Sequence, residues 1–200
     1  MLLHKGKKIN IAVFASGGGS NAREIIKYFK DSEKVNVCLI LTNNPAAGVI
    51  KIAKESGIPC TVFSRENFRD GEKISGILSG FKSDFIILAG FLWMVPGYLL
   101  TQYKDRIINI HPSLLPRFGG KGMYGHFVHE AVKKSGESVT GMTIHVVNEK
   151  YDEGKIIFQA KCNINPEMSA DEIASEVLKL EHKYYPQIID KYIAEFTRKL

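Results

Sequence analysis

The sequence has little cysteine and no long hydrophobic run. It contains three cysteines, Cys38, Cys60 and Cys162, and no CxxC pair. An odd number cannot pair fully within one chain, so we expect buried, reduced thiols in a cytoplasmic protein. The longest apolar run, residues 85–95, has 11 residues, whereas a membrane-spanning helix needs about 18–20. Residues 1–8 lack the apolar stretch of a signal peptide, and no membrane partner is expected.

The charge is weakly basic and the composition is that of a globular protein. Hydrophobic residues make up 44% and charged residues 24% of the 200-residue chain, which excludes a disordered or collagen-like chain. The net charge of +6 leaves nucleic acid, anionic membranes and phosphorylated metabolites as candidate partners. The sequence has no RNP-type strand, KH-type loop or arginine-rich stripe, so a nucleic-acid partner is not expected. The length predicts a single domain over residues 1–200.

Short β-rich runs alternate with helical patterns along the chain. We expect strands at 9–15, 35–41, 58–63, 84–89, 106–110, 140–147 and 155–161, and helices at 20–30, 46–56, 68–81, 126–134 and from 170 onward. A capping box at Ser169–Glu172 begins the last helix, in which Pro186 is a candidate for a kink. This order predicts an α/β fold, a doubly wound and mostly parallel Rossmann-like sheet with late antiparallel strands and a C-terminal helix.

A glycine-rich turn, Ser16–Asn21, follows the first strand. Ligands of such sheets gather at the carboxyl ends of the strands, and the backbone N–H groups of Gly19, Ser20 and Asn21 would point from a helix N-terminus toward an anion. A phosphate site is the favoured interpretation. The same turn formally fits a dinucleotide fingerprint, but Leu41–Pro45, after the second strand, contains no acidic residue. An NAD-binding oxidoreductase remains the alternative from another class.

Two further polar groups stand at strand ends. Asn109 and His111 are two residues apart, so they share a face if Asn109 is still in the strand. An amide donor beside an imidazole can hold a developing oxyanion and move a proton, although a capped strand end would explain the pair equally well. Asp152, between the two late strands, could face His111 across a cleft and relay protons through a water, or could be a solvated turn carboxylate.

Together these motifs resemble the formyl-folate transferase family. The resemblance rests on SGGGSN after the first strand, AGF after the central strand, NIHPSLLP at 109–116 and the Asp-x-Gly loop at 152–154. It covers residues 9–193, which it identifies as the core of a formyltransferase domain. Family members with appended domains do not fit in 200 residues, so the branch that formylates glycinamide ribonucleotide is the most similar. Another formyl-folate enzyme, such as a formyltetrahydrofolate hydrolase, is the alternative within the family.

The resemblance implies an activity and residue roles. The formyl group of 10-formyltetrahydrofolate, a co-substrate, would pass to the amine of glycinamide ribonucleotide in purine biosynthesis, without a metal. Asn109 and His111 would stabilise the tetrahedral intermediate, and Asp152 would keep His111 protonated and assist proton transfer. Contacts to the acceptor and its phosphate are implied for Gly19, Ser20, Asn21 and Glu181, with Leu178 on the same segment. Folate contacts are implied for Leu92, Trp93, Met94, Val95, Asn109, Asn148, Glu149, Lys150, Tyr151 and Asp152. The position of His145 in a late strand implies a place beside the catalytic groups, or a residue that simply packs there.

Some residues depart from the family pattern or lack a ligand set. Trp93 stands where many members carry arginine, and its indole could pack on the aminobenzoyl ring of the folate. The loop Gly119–Gly125 is long and glycine-rich, so it could form a lid with Lys121 as a counter-charge, or a solvated surface loop. His126 and His129 lie three residues apart, but no third ligand has suitable spacing and no metal site is expected. The sequence does not predict the oligomeric state.

Overall fold

The computed structural model describes residues 7–199. Within them, seven strands form one mixed sheet in the order β3-β2-β1-β4-β5-β6-β7. The strands are β1 (Ile9–Phe14), β2 (Val35–Thr42), β3 (Cys60–Val62), β4 (Phe85–Leu88), β5 (Ile107–His111), β6 (Val139–Val146) and β7 (Ile156–Asn163). Strands β1 to β5 pair in parallel, whereas β6 is antiparallel to β5 and to β7. The predicted α/β sheet with late antiparallel strands is confirmed.

Helices cover both faces of the sheet. They are α1 (Ser20–Phe29), α2 (Val49–Glu55), α3 (Arg65–Asp70), α4 (Glu72–Gly80), α5 (Gly97–Gln102), α6 (His126–Lys134) and α7 (Ala170–Thr197). Successive residues of β4 enter opposite layers: Phe85 and Ile87 pack with α1, α2 and α7, and Ile86 and Leu88 pack with α3, α4 and α5. Because both faces of β4 are buried, this strand is apolar throughout.

Two local predictions were wrong. The expected helix over residues 68–81 is two helices, because the chain turns at Gly71 in the left-handed region (φ 86°). Helix α5 (Gly97–Gln102) was not expected, because the sequence analysis assigned no element between the strands at 84–89 and 106–110. Helix α7, by contrast, begins at the expected capping box and continues through Pro186 to Thr197.

Helix α7 packs against elements from both the first and the second half of the chain. It packs against α1, α6 and strands β5 to β7, and the hydroxyl of its buried Tyr185 lies 3.0 Å from the carbonyl oxygen of Leu88 and 3.1 Å from that of Ile108. Although α7 has 28 residues, no helix among residues 7–199 is apolar enough over a sufficient length to cross a membrane. Residues 1–6 and 200 lie outside the described part of the chain. The prediction of a single domain over residues 1–200 and the prediction that residues 1–8 form no signal peptide both include some of these residues.

Candidate functional site

A cavity of about 920 Å³ lies at the carboxyl ends of β1, β4 and β5, the edge where ligands of parallel sheets bind. Most of the residues singled out from the sequence line it. They are Asn21, Leu92, Trp93, Met94, Val95, Asn109, His111, His145, Asn148, Lys150, Tyr151, Asp152, Leu178 and Glu181. Gly19, Ser20 and Glu149 do not line the cavity. The topology thus brings together residues that are up to 160 positions apart.

The deep wall of the cavity carries an amide, two imidazoles and a carboxylate. Asn109 on β5 is the register partner of His145 on β6, and Asn109 Nδ2 lies 3.0 Å from His145 Nε2. The carboxylate of Asp152 lies between the rings: Oδ2 is 3.6 Å from His111 Nδ1, and Oδ1 is 3.7 Å from His145 Nε2. Asn109 and His111 face the same way, as their spacing in β5 predicts.

His145 orients the amide of Asn109. Its Nδ1 lies 3.1 Å from the carbonyl oxygen of Val146, and since a carbonyl only accepts, Nδ1 carries the proton. Nε2 then accepts from Asn109 Nδ2, which leaves the second Nδ2–H of the amide free. Burial lowers the pKa of His145 below its usual value, and the nearby charge of Asp152 only partly offsets this. A neutral ring that fixes an amide donor is thereby built into the wall.

The turn after β5 holds the other two groups. His111 Nε2 lies 2.7 Å from the carbonyl oxygen of Phe118, and the N–H of Gly120 donates to Asp152 Oδ2 at 2.9 Å. Phe118 and Asp152 are both in the left-handed region, with φ of 54° and 57°. The sequence analysis missed Phe118, because the type of a residue does not indicate whether its backbone carbonyl accepts a hydrogen bond from a site residue.

The opposite wall lies at the start of α1. An α-helix leaves the N–H groups of its first turn without intrahelical partners, and α1 begins at Ser20. The side chain of Asn21 donates to Glu181 on α7 at 2.6 Å. Burial raises the pKa of Glu181 to about 7, although the hydrogen bond from Asn21 opposes the shift. A buried carboxyl group therefore stands beside the helix N-terminus.

The space beside the glycine turn is closed on the side of β2. Asn44 donates its side-chain N–H to the carbonyl oxygen of Ser16 at 3.3 Å, and the N–H of Val49 donates to that of Gly17, also at 3.3 Å. The segment between β2 and α2 therefore covers the turn where the adenosine half of a dinucleotide would extend. Together with the absence of an acidic residue there, this argues against the dinucleotide interpretation.

The mouth of the cavity is apolar and partly exposed. Leu92, Met94 and Tyr151 are 49%, 48% and 43% exposed, which is a large exposure for such side chains in one place. Trp93 is packed more firmly: its ring contacts Phe63, Phe68 and Phe91, and the guanidinium of Arg65 lies 5.5 Å from its centre. The mouth of the cavity therefore offers exposed apolar surface to a ligand.

Within the described part of the chain, His126 and His129 do not belong to a metal centre. His126 pairs with Glu130 at 3.1 Å and with Asp171 at 3.3 Å. His129 is buried, and burial lowers its pKa to about 4. Across residues 7–199, no three histidine, cysteine, aspartate or glutamate side chains are grouped so as to hold a metal ion. Lys121 lines the cavity from the glycine-rich loop.

Comparisons with known proteins agree with this geometry. A sequence model of the formyl transferase family matches residues 9–189. The chain is 40% identical over 192 residues to the chloroplastic phosphoribosylglycinamide formyltransferase of Arabidopsis thaliana, covering 93% of this chain and 66% of that relative. It is 34% identical over 196 residues to the phosphoribosylglycinamide formyltransferase of Haemophilus influenzae, covering 95% of this chain and 89% of the relative.

A solved structure has the same fold. The crystal structure of phosphoribosylglycinamide formyltransferase from Anaplasma phagocytophilum matches with a TM-score of 0.84 and 36% identity, covering 92% of this chain and 86% of that chain. The present chain spans just under two thirds of the length of its Arabidopsis relative. On the match over residues 9–189 and on these relatives, the chain belongs to the formyl transferase family and groups there with the phosphoribosylglycinamide formyltransferases.

Proposed function

We propose that the protein transfers the formyl group of 10-formyltetrahydrofolate to the amine of glycinamide ribonucleotide, a step of purine biosynthesis. The observation that carries the proposal is the deep wall of the cavity. There Asn109 stands beside His111, and His111 faces Asp152 at 3.6 Å, in a cavity that also reaches the start of α1. This combination suits acyl transfer to an amine supplied by a substrate, which needs no nucleophile from the protein.

The acceptor would lie across the wall formed by α1 and α7. We assign its phosphate to the backbone N–H groups at the start of α1, where Gly19, Ser20 and Asn21 present the positive end of the helix. Glu181, hydrogen-bonded to Asn21, would contact the glycinamide end, with Leu178 beside it. This orientation directs the amine toward Asn109 and His111 on the deep wall.

The folate would enter through the apolar mouth. Leu92, Met94 and Tyr151 supply exposed apolar surface, and the loop that includes Asn148 and Lys150 borders the same opening. The indole of Trp93 is held against other aromatic rings, so it would offer an edge rather than swing freely. Backbone groups of Val95 and Glu149 would complete the contacts to the folate.

The chemistry follows from the donors on the deep wall. When the amine attacks the formyl carbon, a C–N bond forms and the carbonyl oxygen becomes negative. The Nδ2–H of Asn109 that is not used by His145 is available to that oxygen, and a preformed donor costs no reorganisation in the transition state. The bond from the formyl carbon to N10 then breaks, and one proton passes from the attacking amine to N10. We propose that His111 and Asp152 carry this proton, which the 3.6 Å between His111 Nδ1 and Asp152 Oδ2 supports.

The proposal is tested by formyl transfer from 10-formyltetrahydrofolate with glycinamide ribonucleotide as acceptor, followed by the absorbance of the folate product. We expect turnover that depends on the acceptor. Folate product released at the same rate without acceptor would instead indicate the hydrolase. No turnover, together with tight NADH binding, would refute the proposal in favour of the oxidoreductase.

We also propose a cytoplasmic location for the protein. Cys38, Cys60 and Cys162 are free thiols, which fits a reducing compartment. The proposed reaction requires no metal, because hydrogen bonds and a proton relay activate the transferred formyl group. Localisation of a tagged chain by fluorescence would check the compartment.

A further inference from the structure

The turn Arg117–Gly120, here called the carbonyl turn, touches both members of the His111–Asp152 pair. It follows the NIHPSLLP motif and is built from a left-handed Phe118 and two glycines. The hydroxyl of Ser113, which is completely buried, donates to the carbonyl oxygen of Arg117 at 2.7 Å and lies 3.4 Å from that of Phe118. The side chain of Arg117 is paired with Glu137. The turn is therefore anchored from within the motif by Ser113 and by Glu137, which lies between α6 and β6.

The carbonyl of Phe118 determines which nitrogen of His111 carries a proton. It lies 2.7 Å from Nε2, and a backbone carbonyl has no proton to give, so Nε2 must be the donor. In the neutral ring the other nitrogen, Nδ1, is then an unprotonated acceptor. Nδ1 is the nitrogen that faces Asp152 Oδ2. The same Oδ2 receives the N–H of Gly120, from the other end of the turn.

The surroundings of Asp152 direct proton exchange to this one nitrogen. Of the basic side chains in residues 7–199, only His111 and His145 come within 4.0 Å of its carboxylate. His145 is not free to exchange, because its Nδ1–H is bonded to Val146 and its Nε2 accepts from Asn109. The two rings thus present opposite tautomers to one carboxylate. His111 Nδ1 is the nitrogen left to gain and lose a proton.

We propose that the carbonyl turn is a positioning element that keeps a proton on His111 Nε2 and so confines proton exchange to Nδ1, in contact with Asp152. The inference rests on the proposed function for its meaning, since it names the atom through which the proton would pass from the amine to N10. Phe118 and Ser113 act here through His111 and do not touch the substrates.

The direct test is long-range ¹H–¹⁵N correlation spectroscopy on the whole, unliganded chain labelled at histidine, recorded from pH ~5 to ~9 across the ordinary titration range of histidine. A His111→Gln sample identifies the His111 signals. We expect a protonated Nε2 and an unprotonated Nδ1 at the alkaline end for His111, and the reverse for His145. A His111 ring with Nδ1 protonated, mixed, or still doubly protonated at pH ~9 would overturn the proposal. The measurement needs no turnover, so its outcome is independent of the proposed function.

A second test removes the anchor of the turn. In Ser113→Ala we expect kcat for formyl transfer to fall at least about tenfold, a part of the 10²–10⁴ that acid–base assistance supplies. The pH profile should shift, while KM for both substrates stays within about twofold of wild type. Ser135→Ala is the matched control, since its hydroxyl also donates to a backbone carbonyl, that of Val132 at 2.6 Å, but at the end of α6. Equal kcat and identical pH profiles in the two variants would refute the positioning role.

Discussion

Asp152 is the residue on which the proposed proton transfer depends most. Its two oxygens face two different imidazoles, and a backbone N–H holds one of them. Only 13% of its side chain is exposed, so its charge acts on His111 with less solvent screening than a surface carboxylate would. An amide in its place would keep the shape and one acceptor but would lose the charge.

We therefore expect Asp152→Asn to lower kcat for formyl transfer by about 10²–10⁴, the range typical of acid–base assistance. Its fold and its affinity for glycinamide ribonucleotide should be unchanged, as checked by circular dichroism and calorimetry. Glu153→Gln is the control: its exposed carboxylate pairs with Lys150 at 3.2 Å, and kcat should stay at the wild-type level. A wild-type rate in Asp152→Asn would remove Asp152 from the mechanism.

Glu181 makes the stability of the free protein depend on pH. Burial raises its pKa from 4.5 to about 7, so between these values the folded state binds more protons than the unfolded state. The contribution of this carboxyl group to stability should then be lost as pH rises from about 4.5 to about 7, whereas the buried His129, whose pKa is lowered to about 4, contributes in the opposite direction.

In Glu181→Gln this contribution should disappear, so the stability of the variant relative to wild type should rise between pH ~4.5 and ~7, and the variant should be more stable than wild type above pH ~7 by on the order of 1–3 kcal/mol. Urea unfolding at several pH values measures the difference. Glu176→Gln, on the same helix but exposed and paired with Lys179, should keep the wild-type pH dependence. Parallel curves for Glu181→Gln and wild type would contradict the assignment.

At the level of residues, the sequence predicted which side chains would lie close together but not which atoms would contact one another. The two-residue spacing of Asn109 and His111 predicts a shared face, and the strand ends predict a common edge. The structure brings these side chains and Asp152 into one wall, while their chemical roles stay predictions. The hydrogen-bond partner of His111 could not be predicted from the sequence, because it is the backbone carbonyl of Phe118, a residue in the left-handed conformation.

Among the elements, the connection from β6 to β7 sets the position of Asp152. Strand β7 returns so close to β6 that a Cβ at Gly154 would overlap the carbonyl oxygen of Val146 and come within 3.3 Å of His145 Nδ1. The glycine of the Asp-x-Gly motif is therefore required by close approach of two backbones. The motif combines the carboxylate with the residue that lets its loop close.

Gly154→Ala should lose about 3 kcal/mol of unfolding free energy, because the added methyl group forces the strands apart. Its kcat should fall as well, since Asp152 would shift from His111. Gly76→Ala is the control: this glycine lies inside α4 with open space around it, and alanine should add about 0.5–1 kcal/mol. Chemical unfolding and formyl-transfer assays report both effects. A stable, active Gly154→Ala would show that β7 can move without affecting the site.

Element boundaries were read well where a side chain signals them and poorly elsewhere. Ser169 and Glu172 form the expected capping box of α7. The division of residues 68–81 into α3 and α4 was missed, because an isolated glycine such as Gly71 can be tolerated inside a helix as well as end it. Tertiary packing of Tyr98 against that turn, which no local pattern encodes, accompanies the break.

Over the whole molecule, we propose that the chain is a single formyltransferase domain with its core over residues 9–193. Both layers share the central strands, and the hydroxyl of Tyr185 on α7 reaches carbonyls of β4 and β5. Burial raises the pKa of Tyr185 well above its usual value, so the hydroxyl stays protonated and able to donate. The Tyr185 hydroxyl thus links α7 to the central strands of the sheet by hydrogen bonding.

Tyr185→Phe should lower the free energy of unfolding by about 1–3 kcal/mol, the cost of leaving buried acceptors without a donor. Tyr192→Phe, on the same helix, should lose less, because its hydroxyl bonds to the carbonyl of Asp105 at an exposed position. Urea unfolding is followed by the fluorescence of Trp93, the single tryptophan, and by far-ultraviolet circular dichroism. Coincident transitions are expected from one cooperative unit. Separate transitions would contradict the single-domain proposal.

The hydrogen bond between Asn21 and Glu181 also has a consequence for the order in which the protein becomes active during its synthesis. Asn21 is translated early, and its partner is added 160 residues later. Chains generally fold as they emerge, N-terminal parts first, so the glycine turn and β1 are exposed long before α7 can complete the proposed acceptor site. If Asn21 and Glu181 form the acceptor site as proposed, a growing chain would hold no complete site until α7 has left the ribosome, and a chain interrupted before Glu181 would be inactive.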